Sequence, residues 1–417
     1  MKERALLVTL DFDSMRRSSD PADAAQELHE LSLSAGLSVA TDRIFRQKTP
    51  IASLLIGRGK AEELRSIALG EKADVVIFDN ELSPSQQRNL EETLGVKTLD
   101  RTQLILDIFA QRARSNEGKL QVELAQLKYL LPRLAGKGIY LSRLGGGVGT
   151  RGPGEQKLEV DRRLIREKIA RLGRELDDLK SRRWQNIRTK KEKNLPVAAL
   201  VGYTNAGKST LFNRLTESAV ATKDQLFSTL DTTTRLVELP GNQKALLADT
   251  VGFIRDLPHQ LIESFKATLE EAIHSDFLIH VVDANRPDFY FLKKSVEKVL
   301  KDLGALDKKT VLVLNKIDLL SGEKRDSIAR EHWKEGFAVS AKTGEGISIF
   351  LERLSRSLPG RTRRRVYIPV KKLGLVGYLY KEGEVLKRAD GENGSYFTVE
   401  LTEPSFRKFQ SILESAS

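Results

Sequence analysis

The stretch that decides the fold is Val197-Ala-Ala-Leu-Val201, followed by Gly202-Tyr203-Thr204-Asn205-Ala206-Gly207-Lys208-Ser209 and then Thr210-Leu211-Phe212. An apolar strand running through a glycine-bounded loop into a helix is the phosphate-loop pattern in its required context. Backbone amides of such a loop, together with the helix N-terminus, form a ready anion cradle. Lys208 is placed to reach the outer phosphate oxygens, and the Ser209 hydroxyl to ligate magnesium. Working outward, Ala245-Leu-Leu-Ala-Asp249-Thr250-Val251-Gly252 is a second apolar strand that delivers a carboxylate to the sheet edge. Asp249 is expected to hold magnesium through water. Gly252 carries no side chain to keep its amide from a γ-phosphate.

A third strand, Thr310-Val-Leu-Val-Leu, ends in Asn315-Lys316-Ile-Asp318. A carboxylate at Asp318 accepts from guanine N1–H and the 2-amino group, where adenine offers neither donor. Leaving that carboxylate unpaired penalises adenine by kcal/mol. Asn315 can hold the guanine edge and tether the phosphate loop. Ser340-Ala341-Lys342 follows the short strand Phe337–Val339, where a backbone amide can meet guanine O6. The ordered motifs predict a GTP/GDP-binding domain with magnesium as its metal. Between the first two lies Leu226-Phe227-Ser228-Thr229-Leu230-Asp231-Thr232-Thr233. A threonine here is expected to bind the metal only when the γ-phosphate is present, the basis of an order–disorder switch. Thr229 is the first choice and Thr233 the alternative. Phe253 stands after Gly252, where many GTPases have a water-orienting Gln, so intrinsic hydrolysis is expected to be slow and partner-stimulated. Asn205 offers a carbonyl for a monovalent cation, or simply caps the loop. Lys208, Thr229, Gly252 and Asn205 are the expected catalytic set.

Around this domain the chain divides further. At 417 residues it exceeds one hydrophobic core. Residues 1–115 alternate apolar runs (Ala5–Leu10, Ile51–Ile56, Asp74–Phe78) with helical patterns (Asp20–Ala35, Gly59–Leu69, Ser83–Leu94), which predicts a small parallel α/β domain. In 116–195, Leu120, Leu124, Leu127, Leu131 and Leu134 form one heptad seam; Ile165, Ile169, Leu172, Leu176 and Leu179 form another. Two such seams predict an antiparallel helical hairpin, with Pro132 ending or kinking the first helix and Lys157–Trp184 helical over about 42 Å. The connecting loop Arg133–Gln156 is rich in glycine; Arg143, Arg151 and Lys157 flank those glycines and are candidate contacts to RNA phosphates. Lys190–Asn194 and Arg361–Arg365 read as basic linkers, 196–360 as the GTPase domain, and 361–417 as a small α+β module with strands at Val366–Val370, Gly377–Leu379 and Ser395–Leu401 and a final helix. The fold class is therefore multidomain α/β.

The formal net charge is +12, and residues 101–195 alone, with 23 Lys+Arg and 11 Asp+Glu, carry that same excess. This asymmetry points to an acidic partner such as nucleic acid. The absence of cysteine excludes disulfides, thiol nucleophiles and cysteine-ligated metals. No apolar run reaches the ~20 residues of a membrane span, and no signal peptide is read at the N-terminus. A cytoplasmic monomer is expected.

With its motifs assembled, the chain resembles the HflX family of ribosome-associated GTPases. The resemblance rests on Gly202–Ser209, Phe227-Ser-Thr-Leu-Asp231, Asp249-Thr-Val-Gly-Phe-Ile-Arg-Asp-Leu-Pro258, Phe265-Lys-Ala-Thr-Leu-Glu-Glu271, the loop Gly149-Thr-Arg-Gly-Pro-Gly-Glu155, and Asp100–Phe109. It implies an N-terminal α/β domain, a coiled-coil hairpin, a GTPase domain and often a C-terminal module. It also implies binding to the large ribosomal subunit and its RNA, and splitting of stalled or idle ribosomes. One departure is Thr232, where relatives commonly have proline. Two other readings fit the residues: an RNA-remodelling or subunit-assembly NTPase, and a nucleotide-switched protein scaffold.

Overall fold

The computed structural model describes residues 2–13, 20–134, 153–191, 195–216, 226–227, 233–241, 243–255, 272–323, 325, 336–357 and 361–415. The chain forms two compact units. The first comprises Met1–Arg182, Lys223–Asp231 and Val251–Leu269; the second comprises Arg183–Thr222, Thr232–Thr250 and Glu270–Ser417.

In the first unit, β1 (Arg4–Phe12), β2 (Ser38–Gln47), β3 (Val75–Phe78) and β4 (Lys97–Asp100) form a parallel sheet in the order β2-β1-β3-β4. Strand β1 is buried on both faces, so its sequence is a continuous apolar run rather than an alternation. Helices α1 (Pro21–Ser34), α2 (Arg58–Gly70), α3 (Pro84–Leu94) and α4 (Arg101–Arg112) connect and cover it. Leu6, Val8, Leu10 and Phe12 pack with Ala61, Leu64, Leu90 and Leu94 on one side. Local chemistry sets the helix starts. Ser83 and Gln86 form a reciprocal capping box ahead of Pro84, and Asp100 caps α4 by accepting from the Gln103 amide at 2.8 Å.

Two expectations fail here. Residues 51–56 are not a strand; Ile51 and Leu55 close a tight turn by an isolated antiparallel bridge. Two strands carry no predicted run: β2, an edge strand of half-buried or exposed residues whose hydrophobic signal is diluted by Asp42, Arg43 and Arg46, and β4, only four residues long at the other edge.

The helical pair consists of α5 (Asn116–Arg133) and α6 (Pro153–Lys191). Leu124, Leu172 and Leu176 form its buried seam, flanked by Leu120, Leu127 and Ile169. Pro132 sits in the last turn of α5, in keeping with its expected role. Helix α6 is longer than expected: its 39 residues start at Pro153, inside the predicted loop, and run through Lys190 and Lys191 of the predicted linker. Proline fits the first turn of a helix because its missing N–H has no partner to lose there.

In the second unit, β5 (Val197–Gly202), β6 (Thr233–Leu239), β7 (Gln243–Asp249), β8 (Phe277–Asp283), β9 (Thr310–Asn315) and β10 (Gly336–Ala338) form a sheet in the order β10-β9-β8-β5-β7-β6. All neighbours are parallel except the antiparallel pair of β6 and β7. Helices α7 (Lys208–Thr216), α8 (Phe289–Asp302) and α9 (Ile347–Ser357) accompany it. A separate sheet follows in the order β11-β13-β12, built from β11 (Arg361–Pro369), β12 (Glu384–Gly391) and β13 (Gly394–Thr402), with α10 (Val376–Glu382) and α11 (Glu403–Ser415).

Two more corrections fall in this module. Arg361–Arg365 is not a linker but the start of β11, where Arg363 pairs with Glu400 and Arg364 with Glu403. Gly377–Leu379 is helical within α10, because Leu375, Val376, Tyr378 and Leu379 pack on one core at helical spacing.

Candidate functional site

The phosphate loop leaves β5 through backbone conformations that two glycines make available. Gly202 has φ +151°, and a Cβ there would lie 2.2 Å from the Val281 carbonyl oxygen; Gly207 has φ +89°, and a Cβ there would lie 2.2 Å from Asn315 Nδ2. No side chain fits at either position. Asn205, at the exposed tip, takes the left-handed conformation with φ +60°. The loop then feeds α7 directly, so the helix begins at Lys208, two residues before the expected Thr210.

Lys208 is buried and its Nζ donates to the Gly202 and Tyr203 carbonyls at 3.0 and 2.8 Å. The ammonium thus arches back over its own loop. Burial lowers its pKa to about 8, partly offset by the Asp249 carboxylate. Ser209 is buried at the start of α7, and Asp249 is buried at the end of β7. Thr250 anchors the turn that follows, its Oγ1 donating to the Leu200 carbonyl at 2.6 Å.

Asn315 ties two loops together. Its Nδ2 donates to the Ala206 carbonyl at 2.9 Å, and its Oδ1 accepts from the Ala341 amide at 2.9 Å. Asp318 lies on a single 3-10 turn, Ile317–Leu319, and its Oδ1 accepts from Ser340 Oγ at 2.7 Å. Lys316 holds a left-handed φ of 64°, pairs with Asp283 at 2.8 Å and lays its stem beside Gly207. The second unit therefore gathers residues 202–209, Asp249, Thr250, Asn315, Lys316, Asp318 and 340–342 around the ends of β5, β7 and β9.

Sequence reading missed several supports of this site. Arg214 in α7 donates to the carbonyls of Ala341 and Lys342, bracing the loop from below. Gly346, with φ +76°, turns the chain where a Cβ would meet the Ala338 carbonyl at 2.3 Å. Neither carries a motif signal: Arg214 holds backbone carbonyls far away in sequence, and Gly346 acts through its own backbone turn.

Other expected residues lie elsewhere. Ser228, Thr229, Leu230, Asp231, Arg143 and Arg151 fall outside the described residues, and of Lys157 only the helical backbone is described. Thr233 begins β6 opposite Asp249 in the ladder. Phe227, Val251 and Gly252 belong to the first unit. There Phe227 is buried with φ +56°, its ring edge-on to Phe109 of α4 at 4.6 Å, while the Leu226 amide donates to Ser34 Oγ of α1 at 3.2 Å. Phe253 is fully buried. Arg255 meets Glu27 of α1 at 3.4 Å; Glu27 also meets Arg101 of α4 at 3.2 Å, and Arg101 meets Asp79 at 2.6 Å. All four side chains are at most 7% exposed.

The chain matches four consecutive sequence families. Residues 22–110 match one described as GTP-binding GTPase N-terminal, 112–190 the GTP-binding GTPase Middle Region, 197–316 the 50S ribosome-binding GTPase, and 328–413 the HflX C-terminal domain. It is 47% identical over 406 residues to GTPase HflX of Caldanaerobacter subterraneus subsp. tengcongensis, spanning 96% of this chain and 91% of that protein. The chain belongs to the HflX family of GTPases. GTPase HflX of Escherichia coli (strain K12) is 42% identical over 395 residues, spanning 94% of this chain and 92% of that protein. A GTP-binding protein from the hyperthermophilic archaeon Sulfolobus solfataricus, solved in complex with GDP, is similar at 26% identity and a TM-score of 0.43, covering 85% of this chain and 98% of that one. The reaction of this GTPase is thus hydrolysis of GTP to GDP and phosphate. Among the described residues no helix is long and apolar enough to cross a membrane.

Proposed function

We propose that this GTPase binds the large ribosomal subunit in its GTP state and splits stalled or idle ribosomes. The observation that carries the reading is the joining, in one chain, of a guanine-type site to a strongly basic helical segment. Residues 101–195 hold the whole chain's positive excess, and the match of 197–316 to a family described as 50S ribosome-binding adds to it. The helical pair and its glycine-rich connection reach RNA, with Arg143, Arg151 and Lys157 meeting phosphates.

The nucleotide's part follows from the residues. Asp318 reads the guanine edge, and Asn315 holds the base loop against the phosphate loop. Lys208 exchanges its two backbone carbonyls for phosphate oxygens, which raises its proton affinity. A magnesium ion fits the donor set of Ser209 and Asp249, a hydroxyl and a buried carboxylate, both hard oxygen ligands; when bound it supplies charge neutralisation at the phosphates. Thr229 and Gly252 read the γ-phosphate. Thr233 pairs opposite Asp249 at the start of the β6 ladder, which favours Thr229 as the switching threonine. Phe253 cannot orient water by hydrogen bonding, so fast hydrolysis depends on groups the ribosome supplies. The Asn205 carbonyl takes a monovalent cation beside the phosphates.

Co-sedimentation with purified subunits tests the reading. The protein should pellet with large subunits in a non-hydrolysable GTP analogue and not in GDP, and the association should weaken steeply between 50 and 200 mM salt. Equal pelleting in both nucleotides, or binding flat in salt, would exclude it.

A further inference from the structure

The sheet near the end of the chain buries one face and leaves the other open. Val366, Ile368, Phe397, Val399 and Leu401 form the inner face, in a core completed by residues of α10 and α11 such as Leu379 and Phe409. The alternate residues build the outer face in three cross-strand rows. Tyr367 lies opposite Tyr396, which lies opposite Ala389; Arg365 lies opposite Thr398, which lies opposite Lys387; Arg363 lies opposite Glu400, which lies opposite Glu384. A bulge between Val385 and Lys387 sets this register, bringing the ammonium rather than Leu386 opposite Thr398. Successive rows are about 7 Å apart.

The first row is aromatic and open. Tyr367 is 37% exposed and Tyr396 46% exposed, with ring centroids 4.9 Å apart. The Arg365 guanidinium stands 4.8 Å from the Tyr396 ring, and the Tyr367 hydroxyl donates to the Asn393 carbonyl at 2.8 Å, which fixes its ring. Ala389 on the neighbouring strand is too small to cover Tyr396. The second row is cationic, and residues 361–417 as a whole carry 11 Lys+Arg against 7 Asp+Glu. A wet face on an antiparallel sheet is ordinary, and so is a cross-strand tyrosine pair. Here, however, the pair stands half-open, one ring is anchored, and a row of positive charge runs beside it.

We infer that this face binds single-stranded nucleic acid. Unpaired bases stack on the Tyr396–Tyr367 row and extend the Arg365–Tyr396 stack, while the backbone lies along Arg365 and Lys387. Flat sheets bearing aromatics and flanking cations recognise unstacked bases in this way. A duplex, whose bases already stack on one another, does not fit the aromatic row. This inference rests on the open tyrosine row and does not draw on the basic helical segment.

The test uses the full chain and fluorescein-labelled U12 and dT12 in anisotropy titrations at 50 and 200 mM salt. Tyr367→Ala with Tyr396→Ala should weaken oligonucleotide binding tenfold or more, whereas the two Tyr→Phe changes should hold it within about twofold. Thr398→Asp places a negative charge between Arg365 and Lys387 without touching the core, and should weaken binding as much. GTP affinity should be unchanged in all variants, and far-ultraviolet circular dichroism should match the wild type, which reports an intact fold. A stronger loss for U12 than for dT12 would identify RNA as the ligand. Variants that bind both oligonucleotides like the wild type would overturn the inference. Loss of large-subunit binding with oligonucleotide binding intact would overturn it too, and would make the face a protein contact.

Discussion

At the scale of single residues, the proposed function separates base reading from phosphate reading. Ser340 donates to Asp318 and holds its carboxylate in place, and the proposal gives that carboxylate the guanine edge. Asp318→Asn should weaken GTP by tenfold or more and admit xanthosine triphosphate, whose 2-carbonyl can accept from the new amide; competition binding with the two nucleotides checks this. Lys208 makes a prediction in pH. Burial holds its pKa at about 8, and the negative charge of bound phosphates raises it. Binding therefore takes up a proton above pH 8. GTP affinity should be level below pH 8 and fall as pH rises through that value, with calorimetric heats that vary with buffer ionisation enthalpy. The strand–loop–helix form of residues 202–209 was legible in the sequence because strand, glycines and helix are contiguous. Arg214 was not, since it supports the loop through the carbonyls of Ala341 and Lys342, more than 120 positions away, and no local pattern marks such a contact.

At the scale of elements, legibility followed burial. Strand β1, apolar on both faces, announces itself; strand β2, at the sheet edge, does not, and the tight turn at residues 51–56 borrowed its place because it is also apolar. Short segments such as Gly377–Leu379 are ambiguous between helix and strand, and packing on the sheet core decided for helix. The heptad seam was legible because its leucines recur over many turns. Helix α6 nonetheless extends past the predicted ends to about 58 Å, since polar, Arg- and Lys-rich sequence sustains a helix without an apolar signal. Leu172 is only 3% exposed at the centre of the seam. Leu172→Ala should destabilise the helical pair by about 2–4 kcal/mol, seen as faster amide hydrogen exchange across α5 and α6. Nucleotide affinity should not change, because the seam is packed from side chains of α5 and α6 alone.

At the scale of the whole molecule, the two segments that flank Thr229 and Gly252, the positions proposed to read the γ-phosphate, both belong to the first unit. Leu226 and Phe227, just before Thr229, rest on Ser34 and Phe109; Arg255, three residues after Gly252, rests on Glu27. Ser34 and Glu27 lie seven residues apart on α1, so one helix face serves both segments. The glutamate is shared between Arg255 and Arg101 in a buried network that balances two guanidiniums with Glu27 and Asp79. None of this was legible in the sequence, where 27, 101 and 255 are unremarkable charges far apart. The contacts stabilise this arrangement of the segments. If the γ-phosphate reorders them, the free energy of the network opposes GTP more than GDP, and linkage makes the effect reciprocal. Glu27→Gln keeps the shape of the side chain and removes its charge. It should raise affinity for a non-hydrolysable GTP analogue about five- to twentyfold relative to GDP, in the usual 1–3 kcal/mol range of such couplings. Guanine selection should be unaffected, and the first unit should melt at a lower temperature, because two buried guanidiniums lose a shared counter-charge. Fluorescent-nucleotide titrations of the two ligands decide the matter: an equal change in both affinities would mean that the network stabilises the fold and leaves the nucleotide state alone.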